Sequence, residues 1–298
     1  MTQAVDLVDA LNGTFGRHKG FRASHAKGLA VTGRFLPSDA ARLVGVPMLD
    51  TEQPITGRFS VGGGKPNMSD KSPSVRGIGL TIGEGKDAWT LSMISAPVFF
   101  ANSAEQFRAF LAARVADPDT GGPNPEKVQA FNAANPNTVP HQAYLKSTPP
   151  CVCYSAERYH SCHAYGVSVD GEMVSGRVSL EPEDGRIGLS AEEMESFDHD
   201  FLFAGLRERL AQEPARWTLK VIVANPDDEL ADPTTPWNGE HVEIELGTVE
   251  ISACDATEPG QIRVYDPTQF PIGIAAPQDD VFSLRGPAYS VSFGRRSQ

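Results

Sequence analysis

The stretch Arg22-Ala23-Ser24-His25-Ala26-Lys27-Gly28 runs straight into Leu29-Ala30-Val31-Thr32-Gly33-Arg34-Phe35. Residues 28–35 read as a strand, and the same signal recurs over 55–61, 77–82 and 89–94, each segment bounded by Gly or Pro. Phe107, Phe110, Leu111 and Val115 fall at i, i+3, i+4 and i+8, which predicts a helix that Pro118 stops. A weaker helix follows Pro125 and ends before Asn135-Pro136. Strands resume over 163–169 and 176–180, with Asp170-Gly171 as a turn signal. Ser190 and Glu193 form a capping-box pair before a predicted long helix whose stripe is Met194, Phe197, Phe201, Leu206 and Leu210. Two alternating strands follow. Trp217, Leu219, Val221 and Val223 share a face in the first. Val242, Ile244 and Leu246 alternate with Glu243 and Glu245 in the second. The order strands, helices, strands, helix, strands lacks regular βαβ alternation. It predicts an α+β fold around an antiparallel sheet or barrel. No linker divides the chain, so a single domain over 1–298 is expected.

Composition narrows the function. The chain has 298 residues with 26 Lys plus Arg against 38 Asp plus Glu, a net charge of −12. Such an acidic protein has no general attraction for nucleic acid or an anionic membrane. Hydrophobic residues make up 40% and charged residues 21%, the balance of a folded globular chain. No window approaches 18 consecutive apolar residues, so no membrane span is expected. Residues 1–20 show no basic flank followed by an apolar run, which argues against a secretory signal and for a cytoplasmic location. The four cysteines are too few for a disulfide scaffold and are expected as thiols.

Some candidate motifs fail on spacing. Gly62-Gly63-Gly64-Lys65 invites a phosphate-loop reading, but the required earlier Gly and following Ser or Thr are Phe59 and Pro66. Cys151, Cys153 and Cys162 with His160 or His163 have the residue types of a zinc site without a usual zinc spacing. They read as buried thiols near a strand. A G-x-S-x-G nucleophile elbow does not occur.

The remaining signal is spread over the two ends of the chain. Thirty-three residues after His25 comes Arg58-Phe59-Ser60-Val61-Gly62-Gly63-Gly64. Val75-Arg76-Gly77, Ala96-Pro97-Val98-Phe99-Phe100 and Phe107 follow. Near the C-terminus lie Tyr265-Asp266-Pro267-Thr268, Pro271-Ile272-Gly273-Ile274, Asp279, Arg285, Tyr289 and Arg296. Together, and in this order, these segments resemble the haem catalases, most closely the short catalase-related peroxidases. The resemblance runs from about Arg22 to Arg296.

It implies a catalase-like antiparallel barrel core with flanking helices and a pocket for haem b (heme b). Tyr289 matches the tyrosine that ligates the haem iron. A phenol has an ordinary pKa of about 10 and needs a nearby cation to act as an anion. Arg285, one helical turn earlier, matches that partner. Asp279 and His163 match positions that buttress the arginine. Arg22, Arg58 and Arg296 match the arginines that bind the haem propionates, a task suited to a planar, permanently charged fork. Phe99 and Phe107 match aromatics that line the haem face.

His25 matches the distal catalytic base, which takes a proton from the inner oxygen of a peroxide and returns it to the outer one. Ser60 matches the serine that holds this imidazole. One position departs from the pattern. The family usually carries an asparagine three residues before the proline of P-V-F-F, and here that residue is Ile94. Isoleucine has no donor with which to polarise the peroxide.

The expectation is therefore a haem peroxidase that uses hydrogen peroxide or an organic hydroperoxide to oxidise a small organic reductant, with weak or absent catalase activity, as a monomer or homodimer. Two alternatives stay open. One is a related haem enzyme for a specialised organic substrate, in biosynthesis or hydroperoxide rearrangement. The other is a non-catalytic haem-binding protein.

Overall fold

The computed structural model describes residues 2–255 and 263–296. Eight strands pair antiparallel: β1 (Gly28–Pro37), β2 (Gln53–Val61), β3 (Arg76–Ile82), β4 (Trp89–Ile94), β5 (Tyr159–Val169), β6 (Glu172–Pro182), β7 (Ala215–Val223) and β8 (Glu243–Asp255). A short β9 (Ile274–Ala275) is added beside β5. The order is β4-β3-β2-β1-β8-β7-β6-β5-β9, and a pairing of Ile94 with His160 joins β4 to β5 and closes a barrel. Closure leaves the eight long strands with no open edge between them.

The two-residue period of the strands sorts their side chains between two faces. Phe59, Leu80, Trp89, Leu91, Trp217, Leu219 and Val249 are all fully buried in the core. Phe59 stacks on Tyr154 at 5.1 Å between ring centroids and packs on Trp217 at 5.6 Å. The opposite face of β2, β3 and β4 carries Arg58, Ser60, Gly77, Gly79, Ser92 and Ile94. Register aligns them in two rungs, Arg58–Gly79–Ser92 and Ser60–Gly77–Ile94. The site described below stands on this face.

Eight helices flank the barrel among the described residues: α1 (Thr2–Phe15), α2 (Ala104–Ala112), α3 (Pro125–Ala134), α4 (Val139–Ser147), α5 (Ala191–Ser196), α6 (Phe201–Gln212), α7 (Asp280–Ser283) and α8 (Arg285–Arg296). The α+β barrel matches the sequence expectation, with some differences. The stripe through Phe107 ends early, because α2 stops at Ala112 and Val115 is exposed. Val242 precedes β8 and is exposed as well.

The expected long helix after Ser190 is two helices. The capping box is present, but α5 ends at Ser196. Asp70, distant in sequence, supplies the start of α6. Its backbone N–H donates to His199 O at 2.9 Å, and its carboxylate accepts from Leu202 N at 2.9 Å. Lys27 neutralises the same carboxylate at 2.7 Å. The lysine of the His25 loop thus anchors the loop to α6.

Candidate functional site

A mostly apolar cavity of about 920 Å³ lies between the outer face of β2–β4 and helices α1, α2, α4 and α8. His25, Ser60, Arg22, Arg58, Phe99, Phe107, Arg285, Tyr289 and Arg296 all line it. The residues singled out at the two ends of the sequence therefore meet in one space.

His25 sits in the loop before β1 with φ of 52°, the left-handed region that costs a non-glycine residue about 1–2 kcal/mol. Several bonds hold it there. Arg58 Nη1 donates to His25 O and Nη2 to Ala26 O, both at 2.9 Å, and Ala26 N donates to Gly63 O at 3.0 Å. Arg58 reaches these carbonyls only because residue 28 is glycine. A Cβ there would lie 2.0 Å from the guanidinium carbon. Ser60 Oγ lies 2.9 Å from His25 Nδ1 and donates to Gly77 O at 3.3 Å. A hydroxyl has one hydrogen, so Nδ1–H donates to Ser60 and Nε2 keeps its lone pair. Burial lowers the His25 pKa to about 4, helped by the positive charges of Arg58, Arg285 and Arg22. The ring is neutral at physiological pH.

Tyr289 comes from α8. Arg285 Nη2 donates to its hydroxyl oxygen at 3.1 Å, and Ser92 Oγ lies 2.9 Å away on the other side. Ser92 also donates to Tyr265 O at 3.1 Å. Behind this group, Asp279 Oδ2 is 2.8 Å from His163 Nδ1, while Oδ1 accepts from Phe282 N at 2.7 Å and caps α7. His163 is buried, and burial lowers its pKa. Its Nε2 has no hydrogen-bond partner among the described residues.

Arg22 and Arg296 converge on one carbonyl, donating to Arg263 O at 2.6 and 3.4 Å. With Arg58 they place three positive charges on the wall of a mostly apolar cavity. Phe99 packs 6.0 Å from the His163 ring and 6.2 Å from Phe107. Ile94 lines the cavity on the rung of Ser60 and Gly77.

Sequence reasoning missed Ser92, although it lies two residues from Ile94 and therefore on the same strand face. It also missed α1, whose Ala4, Leu7, Val8 and Leu11 have helical spacing and whose Leu7, Val8 and Leu11 line the cavity. The cysteine cluster is elsewhere. Cys151, Cys153 and Cys162 are buried free thiols, and no group of three or more His, Cys, Asp or Glu is placed to hold a metal among the described residues. Nor is any helix among the described residues long and apolar enough to cross a membrane.

Comparison with known proteins agrees with this geometry. The catalase-related peroxidase of Mycolicibacterium paratuberculosis is 31% identical over 97% of this chain and 93% of its own. That of Synechococcus elongatus is 29% identical over 98% of this chain and 88% of its own. Among solved structures, catalase A from Saccharomyces cerevisiae superposes with a TM-score of 0.83 at 19% identity, over 94% of this chain and 62% of that one. The chain thus spans about three-fifths of that larger protein, and the likeness extends to the barrel and its flanking helices. A profile of the catalase family matches residues 5–295, and on this match and the 31% relative the chain belongs to that family.

Proposed function

We propose that this chain is a haem-dependent peroxidase that uses hydrogen peroxide or an organic hydroperoxide to oxidise a small organic molecule, with the described barrel and helices acting as one haem-binding unit. The observation that carries the reading is the placement of His25–Ser60 and Arg285–Tyr289 on the walls of a single cavity. The residues present fit a haem b group. The cavity is large and mostly apolar, a phenol oxygen inside it accepts from Arg285 and lies 2.9 Å from Ser92 Oγ, and three arginines suit a dianion.

Tyr289 would hold the iron, Arg22, Arg58 and Arg296 the propionates, and Phe99 and Phe107 the flat apolar face. When bound, haem supplies the redox-active iron at which a peroxide O–O bond is cleaved. The chain's own part is acid–base and positional. His25 Nε2 takes the proton from one peroxide oxygen and delivers it to the other, and Ser60 keeps the ring in the tautomer that can do so. Arg285 and Ser92 hold the Tyr289 oxygen from two sides, while Asp279 fixes His163 beside them. The aromatic residues exclude water. Ile94 offers no hydrogen bond to peroxide.

The test is the purified haem-loaded protein, given peroxide with and without a phenolic reductant. Reductant oxidation well above oxygen release supports the reading. Haem binding with neither activity would instead indicate a carrier of haem.

A further inference from the structure

The cavity extends beyond the residues assigned so far, and it ends at a cation. On α2 and the turn after it, Phe107, Phe110, Leu111 and Arg114 fall at i, i+3, i+4 and i+7, and all four line the cavity. The aromatic rings form a continuous wall. Phe107 packs on Phe100 at 4.8 Å and Phe100 on Phe110 at 4.5 Å, and Phe131, outside the lining, backs Phe110 at 5.7 Å. At the end of this wall the Arg114 guanidinium lies 3.5 Å from the Phe110 ring centroid and 5.4 Å from that of Phe131. One nitrogen, Nη1, donates to Phe110 O at 3.1 Å.

No carboxylate among the described residues forms an ion pair with Arg114. The arginine is half-buried, and burial lowers its pKa to about 10, so its charge is held at a cost. His141, buried beside the same cavity, spends Nδ1 on Val98 O at 2.8 Å and brings no negative charge. Lys146, exposed on α4, also lines the cavity and adds a second positive group.

We propose that the organic substrate of this chain is an apolar monocarboxylate, seated with its hydrocarbon body along the Phe107–Phe110 wall and its carboxylate on Arg114. The proposal rests on the peroxidase reading above, because it names the class of molecule that the enzyme oxidises. Arg114 suits a carboxylate because its planar fork still has donors to offer after the bond to Phe110 O. The aromatic wall suits a hydrocarbon, which gains by leaving water. The same cavity is lined by His25 and Ile94, so a molecule held by Arg114 shares one space with them. Arg114 is here a binding residue and takes no part in proton transfer.

Binding can be read without turnover. Isothermal titration of the haem-loaded protein with sodium laurate, below its micelle concentration, should give saturable binding. Dodecanol, which has the same chain and no charge, should bind about ten- to a hundredfold more weakly, the worth of one charge-assisted hydrogen bond. Arg114→Gln should weaken laurate by a similar factor and leave dodecanol unchanged, while Arg114→Lys should recover part of the loss. Haem content and far-ultraviolet circular dichroism of each variant report whether it is folded. Equal binding of laurate and dodecanol to the wild type would overturn the proposal, as would full laurate affinity in a folded Arg114→Gln. Failure of the peroxidase reading shows separately, as a haem-loaded protein that binds laurate but oxidises nothing.

Discussion

Gly77 and His25 interlock: a Cβ on residue 77 would lie 2.7 Å from Cε1 and 2.8 Å from Nδ1 of the imidazole. The same Cβ would be 3.0 Å from Ser60 Oγ. The glycine is the space into which the base is set. Gly77→Ala should therefore fold with a modest loss, about 1–3 kcal/mol for overpacking. It should push His25 off Ser60 and slow the reaction with peroxide by about 10²-fold or more. Stopped-flow mixing with peroxide, alongside urea denaturation, checks both. An unchanged rate in the alanine variant would separate the His25–Ser60 pair from the chemistry.

Tyr289→Phe removes only the hydroxyl to which Arg285 and Ser92 are bonded. Arg285 is then left with one fewer acceptor for its charge. The variant should lose haem or take it up with an altered visible spectrum. Haem content by pyridine haemochrome and the ferric spectrum measure this. Full loading with an unchanged spectrum would show that Tyr289 is not the ligand.

The pH dependence follows from histidines whose pKa burial lowers, His141 and His163 among them. Burial lowers His25 and His160 each to about 4, against 6.5 for an exposed imidazole. The folded chain therefore binds fewer protons than the unfolded chain between these values. Stability from this source is complete above pH 6.5 and is lost as pH falls toward 4. The peroxide reaction should be flat from pH 8 to about 5 and fall as His25 takes a proton near 4. His160→Gln should reduce the acid loss of stability, measured by thermal unfolding at pH 7 and pH 5, without moving the inflection in the rate. A rate inflection near 6.5 in the wild type would contradict the buried, neutral ring.

Much of this arrangement was legible because its residues sit on short local motifs. The His25 loop, the Arg58–Ser60 strand and the Arg285–Tyr289 turn each carry their residues within a few positions. The strand read over 89–94 has its observed bounds, Trp89–Ile94. The failures share a cause, which is partnership across long sequence distance. Nothing near Phe197 says that Asp70 will start a new helix 132 residues away in sequence. Nothing around α4 has an apolar stripe, because His141 is its one buried residue and its role is to face the cavity. Arg58 shows the limit most plainly. The resemblance implies that it binds a propionate, and the structure has it pinning the carbonyls of His25 and Ala26, a task visible only once β1 and β2 are paired.

Ile94 stands beside Gly77 on the rung that holds Ser60, so a side chain at 94 shares the cavity wall with the base. Dismutation consumes two peroxides in turn, and the second must be oriented as it gives up its electrons. Oxidation of an easily oxidised phenol needs no such orientation. Without a donor at 94 the first activity should suffer more than the second, making the wild type a poor catalase and a measurable peroxidase. Restoring a donor with Ile94→Asn adds a hydrogen bond worth roughly 1.5–3 kcal/mol to a group developing charge. That is about ten- to a hundredfold in rate. Oxygen release from hydrogen peroxide should rise by such a factor, while phenol oxidation at limiting peroxide changes less. The substitution also replaces apolar surface with an amide next to the aromatic wall, so laurate binding measured in parallel reports whether the cavity has stayed closed. If oxygen release from the wild type already matches that of a full catalase, or if Ile94→Asn leaves it unchanged with laurate affinity intact, the hydrogen bond absent at residue 94 is not what limits dismutation.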